Sequence, residues 1–147
     1  MNAYLTSIKV PATFDNPVTI SHLLNHSAGF DEISGRRVFH SNQQVPLHEF
    51  LDCRLERLRE PGVVSSYSTY GIALAGLIVE EVSGKSLEEY MQENIFDPLE
   101  MSMTSMIIDE NYASWGYEYS RGINIPQPWE YYNTYPATEI NSTPNDM

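Results

Sequence analysis

The stretch Pro61-Gly-Val-Val-Ser-Ser-Tyr-Ser-Thr-Tyr-Gly71 sets a phenol, Tyr67, between a turn and the start of a strongly helical apolar segment. A tyrosine in that place either packs or moves a proton. Glu60-Pro61-Gly62-Val63 fits a type II turn, because proline presets the first central residue and glycine accepts the positive φ of the second. Val64, Ser65 and Ser66 follow no helical pattern. The Tyr67 phenol is therefore expected at the rigid edge of a cleft rather than inside a core. The chain has ten tyrosines, most of which must pack or cap, and setting is what distinguishes Tyr67.

Other chemistry-bearing patterns are weaker. His22-Leu-Leu-Asn-His26 has the i, i+4 spacing of two zinc ligands on one helical face. Leucine stands where H-E-x-x-H needs its general-base glutamate, and no third ligand follows, so no metal site is expected. Asn25-His26-Ser27-Ala28-Gly29 lacks the first glycine of a G-x-S-x-G elbow and reads as a helix terminator. Thr6-Ser7-Ile8-Lys9 places a hydroxyl three residues before a lysine, but no helix begins there to set the two side by side. Ser34-Gly35-Arg36-Arg37 fails because arginine does not give up its proton to act as a base.

The elements that must position Tyr67 are mostly helical. Thr19 is an N-cap for a short amphipathic helix carrying Ile20, Leu23 and Leu24, closed near His26 and Gly29. Pro46 opens a second helix in which Leu47, Phe50, Leu51, Leu55 and Leu58 recur at helical spacing until Pro61. Ile72, Ala73, Leu74, Leu77, Ile78 and Val82 form the apolar face of a third helix, from about Tyr70 to Val82, ended by Gly84. Ser86-Leu-Glu-Glu89 is a capping box opening a fourth, with Leu87, Tyr90, Met91 and Ile95 inward and Pro98 closing it. Beyond residue 110 the text turns aromatic and proline-rich, with one short strand expected near 114 to 119. Ser142-Thr143-Pro144-Asn145-Asp146 has the form of a helix start just before the chain stops. The expectation drawn from it is a polypeptide cut from a longer one.

Length and composition fit one globular domain, with 41% hydrophobic and 19% charged residues. Twenty acidic against eight basic residues give a net charge of −12, which repels phosphate backbones and anionic lipids, so nucleic acid is not an expected partner. Arg54, Arg57 and Arg59 are the one cluster of cations and are expected on a solvated helix face. Cys53, the single cysteine, permits no internal disulfide and is expected as a small buried hydrophobe. No run approaches the roughly 18 apolar residues of a membrane span, and no export signal is visible at the start.

Five blocks taken together resemble a known family: His22-Leu-Leu-Asn-His-Ser-Ala-Gly29, Pro61-Gly62 with Tyr67-Ser-Thr-Tyr-Gly71, Val82-Ser-Gly-Lys85, Ile95-Phe-Asp-Pro-Leu-Glu-Met101 and Asn141-Ser-Thr-Pro-Asn-Asp-Met147. In order and spacing they are similar to the serine beta-lactamases, nearest the class C enzymes, DD-peptidases and related esterases. The resemblance implies an acyl-enzyme hydrolase in which an S-x-x-K serine attacks an amide or ester and a Tyr-x-Asn tyrosine shuttles protons. On that alignment Tyr67 is catalytic, and Thr69 stands in the substrate-binding place of the asparagine with a shorter side chain and no amide.

The resemblance further implies the helical region of an α+β fold, mainly α with long irregular loops and lacking most of the antiparallel sheet. Residues 1–147 would then be a partial domain truncated at both ends, its S-x-x-K helix upstream and its Lys/His-x-Gly strand downstream. No cofactor is implied. The expected ligand is a small-molecule or peptide substrate of the complete protein, and relatives commonly act outside the cytoplasm. A free phenol ionises near pH 10 and becomes a base near neutrality only beside cations, so the 147 residues alone are expected to be inert. A non-catalytic relative that binds a peptide or cell-wall fragment is the competing expectation.

Overall fold

A computed structural model of the chain describes residues 1–32, 37–38 and 40–147. The Ser34-Gly35-Arg36 portion of the candidate at 34–37 lies outside these residues. In chain order the elements are α1 (Ile20–Leu24), β1 (Arg37–Val38), α2 (Leu47–Leu51), α3 (Thr69–Ser83), α4 (Leu87–Met91), β2 (Gly116–Ser120), β3 (Ile123–Gln127) and β4 (Tyr131–Tyr132). Short 3-10 turns occupy Ser41–Gln43 and Tyr135–Ala137. Two antiparallel pairs, β1 with β4 and β2 with β3, are the sheets among the described residues. Helix and irregular chain thus dominate, as expected, although α2 is shorter than its apolar pattern.

The long helix α3 is the axis of the core. Its N-cap Ser68 accepts from the Gly71 N–H, Gly84 at φ 71° ends it, and it buries Tyr70, Ala73, Leu74, Leu77 and Ile78. Against it lie Leu23 of α1 and Leu47, Phe50 and Leu51 of α2, with Phe50 meeting Tyr70 edge to face at 5.8 Å. Each fully buried Leu or Phe contributes roughly 1.5–3 kcal/mol, so these contacts hold the start of α3, and with it residue 67, in place. A smaller cluster of Leu87, Phe96 and Met106 covers the other end.

Helix α2 stops at Leu51 instead of running to Leu58. Leu55 is still buried, but from an extended segment in which Arg57 bridges Phe30 and the Leu58 N–H donates to the Gly29 carbonyl at 2.9 Å. The apolar spacing was satisfied by a pairing rather than a helix face. Two corrections follow. Arg57 is buried, not solvated: it donates to the Pro11 carbonyl at 2.7 Å and stands over the Phe14 ring at 5.4 Å. Burial holds its guanidinium below the usual arginine range. Cys53 is exposed rather than buried, because it falls past the end of the helix.

Thr19 caps α1 and the capping box at Ser86 forms, both as expected, and the His22 side chain completes a second box at Thr19. After Met91 the fourth helix widens into a π turn over Gln92–Phe96, and the extra residue per turn moves the inward position from Ile95, which is exposed, to the buried Phe96. The strand expected near 114 to 119 is half of a hairpin. Its partner β3 pairs from Ser120↔Ile123 to Gly116↔Gln127 across Arg121-Gly122, both at positive φ. Pro144 to Asp146 forms a turn, with the Asp146 carboxylate accepting from the Met103 N–H and the Thr104 hydroxyl, both at 2.8 Å.

Candidate active site

Two of the sequence blocks build one unit. Residues 25–31 run beside residues 56–68 and are tied to them along their length. The Gly62 N–H donates to the Ser27 carbonyl at 2.8 Å, the Ser66 N–H to the His26 carbonyl at 2.8 Å, and the Asp31 N–H to the Glu56 carbonyl at 3.3 Å. The Ser65 hydroxyl reaches the Asn25 carbonyl at 3.1 Å. Gly62 adopts φ 83°, as the expected turn requires. Gly29 adopts φ 80°, and a Cβ there would stand 2.1 Å from the Arg59 carbonyl oxygen, so only glycine lets the two segments lie this close.

Tyr67 sits where the second segment enters α3. Ser68 is extended, at φ −144° and ψ 117°, so successive side chains alternate in direction. Tyr67 is 66% exposed while Ser68 and Thr69 are 4% and 3% exposed. The phenol is thus outside the core, on a backbone that is fixed on both sides. Its ring lies against the His26 imidazole, centroids 4.8 Å apart and planes 38° apart. His26 Nδ1 accepts from the Ser68 N–H at 3.3 Å, which assigns the proton of the neutral ring to Nε2.

Thr69 does not face the same way. Its hydroxyl donates to Glu32 Oε1 at 2.8 Å, its N–H donates to the same oxygen, and the Tyr70 N–H follows at 3.3 Å. A carboxylate thereby takes the unpaired N–H groups at the positive end of α3. The Thr69 side chain, proposed by sequence for substrate contact, is held beneath the surface on which Tyr67 stands.

The remaining sequence candidates are occupied elsewhere. His22 caps its own helix, with Nδ1 accepting from the Thr19 N–H at 3.3 Å, and so does not share a ligand position with His26. Among the described residues no group of three or more His, Cys, Asp or Glu is placed to hold a metal ion. Thr6 and Ser7 give both hydroxyls to the Glu81 carboxylate rather than facing a lysine. Lys85 pairs with Glu93. Also among the described residues, no helix is long and apolar enough to cross a membrane. Sequence reasoning missed two residues around Tyr67, His26 as its neighbour and Glu32 as the anchor of α3. The unsatisfied helix start signals that some anion belongs there, but nothing in the text says which of twenty acids supplies it.

The beta-lactamase family profile matches residues 2–147. The chain is 36% identical over 69 residues to a beta-lactamase of Yersinia enterocolitica, covering 44% of this chain and 18% of that one. It is 31% identical over 96 residues to a putative D-alanyl-D-alanine carboxypeptidase of Escherichia coli K12, covering 60% and 22%. In structure it is similar to the octameric penicillin-binding protein homologue of Pyrococcus abyssi, with a TM-score of 0.71, 27% identity, and 96% of this chain matched to 35% of that one. The chain therefore spans about a fifth of the length of these curated relatives and about a third of the solved one.

Proposed function

The chain belongs to the beta-lactamase family, and on that premise we propose that Tyr67 is the proton-transferring tyrosine of a serine hydrolase acting through an acyl-enzyme. The observation that carries this reading is the placement of the phenol: exposed, with its backbone clamped by His26 before α3 and by Glu32 at its start. A general base needs a fixed position and access to the reacting proton, and Tyr67 has both. In the proposed step a serine hydroxyl attacks the carbonyl carbon and its proton passes to the phenolate. The carbon–nitrogen or carbon–oxygen bond then breaks, and the phenol returns the proton to the leaving group. Water subsequently releases the acyl group from the serine.

The sequence holds no S-x-x-K, so in this reading the nucleophile and its lysine come from residues outside these 147, as does most of the antiparallel sheet. Residues 1–147 are then the helical part of one domain and do not hydrolyse substrate by themselves. Beta-lactams, D-alanyl peptides and small esters are the substrate classes to test. They share the catalytic groups and differ in pocket shape.

One observation favours a second reading. The Thr69 hydroxyl, in the position of the motif asparagine, is bound to Glu32 and buried, leaving no amide to hold a substrate carbonyl. A non-catalytic relative that binds a peptide or cell-wall fragment would tolerate that loss. Joining these residues to the S-x-x-K segment that the hydrolase reading places before them separates the two. Turnover of a chromogenic cephalosporin or a p-nitrophenyl ester supports the hydrolase, whereas saturable binding of a D-alanyl peptide without turnover supports the binder.

A further inference from the structure

We propose that the cleft between the Ser41–Gln43 turn and the Trp115–Trp129 pair binds a neutral sugar ring. The cleft has a volume of about 420 Å³ and is lined by His40, Ser41, Asn42, Glu110, Trp115 and Trp129 among others. Small-molecule sites occupy about 300–1,000 Å³, so one or two hexose units fit. None of the residues around Tyr67 lines it, and the proposal does not depend on the function assigned to that tyrosine.

The two indoles lie 4.4 Å apart between ring centroids at 46°, and Trp115 remains 50% exposed. Half of the Trp115 surface is thus open to a ligand while its ring rests against Trp129. The lining also includes Asn42, Ser41, His40 and Glu110, whose amide, hydroxyl, imidazole and carboxylate supply donors and acceptors to the same cleft. A purely aromatic or aliphatic ligand would strip water from these groups and leave them unpaired. Phosphate or carboxylate ligands would meet no lysine or arginine among the described lining residues, and would meet Glu110 in a chain of net charge −12. A neutral pyranose answers both halves of the site, its C–H face on the exposed indole and its hydroxyls on the polar wall.

The side of the cleft formed by residues 40–42 and by Trp129 and Tyr131 is also tied together before any ligand arrives. The pairing of β1 with β4 joins Val38 to Tyr131, the Gln44 side-chain amide donates to the Tyr132 carbonyl at 3.0 Å, and the Val45 N–H donates to the Asn133 side chain at 3.0 Å. An Arg37–Glu130 ion pair closes the same seam at 2.5 Å. Preorganisation of this kind reduces the ordering cost of binding.

The test uses the chain's own reporters, because its two tryptophans both line this cleft. Tryptophan emission is followed while neutral tetrasaccharides (cellotetraose, chitotetraose and maltotetraose) are added, with benzyl alcohol and glucose 6-phosphate as contrasting ligands. The expected result is a saturable change with at least one neutral tetrasaccharide, its loss in Trp115→Ala, and weakening by about tenfold in Asn42→Ala. Glucose, titrated alongside, should bind more tightly than glucose 6-phosphate, and the reverse order overturns the assignment of a neutral ligand. The Tyr67→Phe chain should bind unchanged, which keeps this site separate from the hydrolase reading. Absence of a saturable change with every neutral tetrasaccharide, in a chain whose thermal transition is intact, overturns the proposal. So does benzyl alcohol binding as tightly as the sugars with Asn42→Ala indifferent.

Discussion

The imidazole of His26 lies against the ring of Tyr67 at 4.8 Å, while its Nδ1 accepts the Ser68 N–H and its carbonyl accepts the Ser66 N–H. One residue thus holds the positions before, at and after the phenol. His26 itself adopts φ 57°, the left-handed turn that aims both its carbonyl and its ring at the neighbouring segment.

Removing that ring should loosen the phenol without dissolving the core. His26→Ala loses a hydrogen bond worth about 1 kcal/mol and an aromatic contact of about 0.5–1.5 kcal/mol, so urea unfolding should show a loss of roughly 1–3 kcal/mol. Alanine also sits poorly at positive φ. His26→Asn, which tolerates that backbone, should recover the strain but not the ring contact. Equal stability of His26→Ala and the unaltered chain would show that the contact holds nothing.

Gly29→Ala should be far more damaging than its size suggests. The new methyl meets the Arg59 carbonyl at 2.1 Å and the backbone is left-handed, so strain and overlap together should cost roughly 2–5 kcal/mol. Gly122→Ala has the same positive φ, at 85°, but nothing within 4 Å, and should lose only the backbone part, about 1 kcal/mol. Thermal unfolding of the pair checks the difference, and equal losses would place the cost in conformation rather than in the meeting of the two segments.

The N-terminal segment should detach in acid. Burial raises the Glu81 carboxyl, but hydrogen bonds from the Ser7 and Thr6 side chains and N–H groups outweigh it and hold the group below its ordinary 4.5. A depressed carboxyl adds stability that is fully present above the unfolded value and is lost as pH falls through the folded one. The unaltered chain should therefore lose stability below about pH 4.5, and Glu81→Gln should flatten that part of the profile. Glu139 works in the opposite sense, since burial raises its carboxyl despite donors at Tyr132 and Gln44. Its contribution falls as pH rises past the ordinary carboxyl range, so Glu139→Gln should remove a decline on that side. Stability measured by urea at several pH values distinguishes the two, and profiles unmoved by either substitution would contradict the assignments.

Local chemistry made much of this fold legible. Thr19 and Ser86 announce their helices because each cap is completed within three residues, and Gly84 ends α3 where left-handed backbone is needed. The errors arise where distant chain decides. Leu55 and Leu58 keep helical spacing, yet pairing with residues 29 to 31 draws that segment out straight. Arg57 is buried by residues 11 and 14, which no local pattern could connect to it. The second strand of the hairpin carries Pro126, which argues against a central strand but is accepted in a two-stranded ribbon. The exposed setting of Tyr67 was legible from its turn and helix. His26 and Glu32 were not, because they reach its neighbours Ser68 and Thr69 across 42 and 37 residues of sequence.

The central claim is that the Tyr67 phenol moves protons. Its direct measure is kcat/KM of Tyr67→Phe against the unaltered protein, in a polypeptide that joins these residues to the S-x-x-K segment that the proposed function requires. The substrates are a chromogenic cephalosporin, a D-alanyl peptide and a p-nitrophenyl ester. Loss of a positioned proton-transfer group should lower turnover by about 10²–10⁴-fold with folding intact. Turnover of Tyr67→Phe equal to that of the unaltered protein would contradict the account.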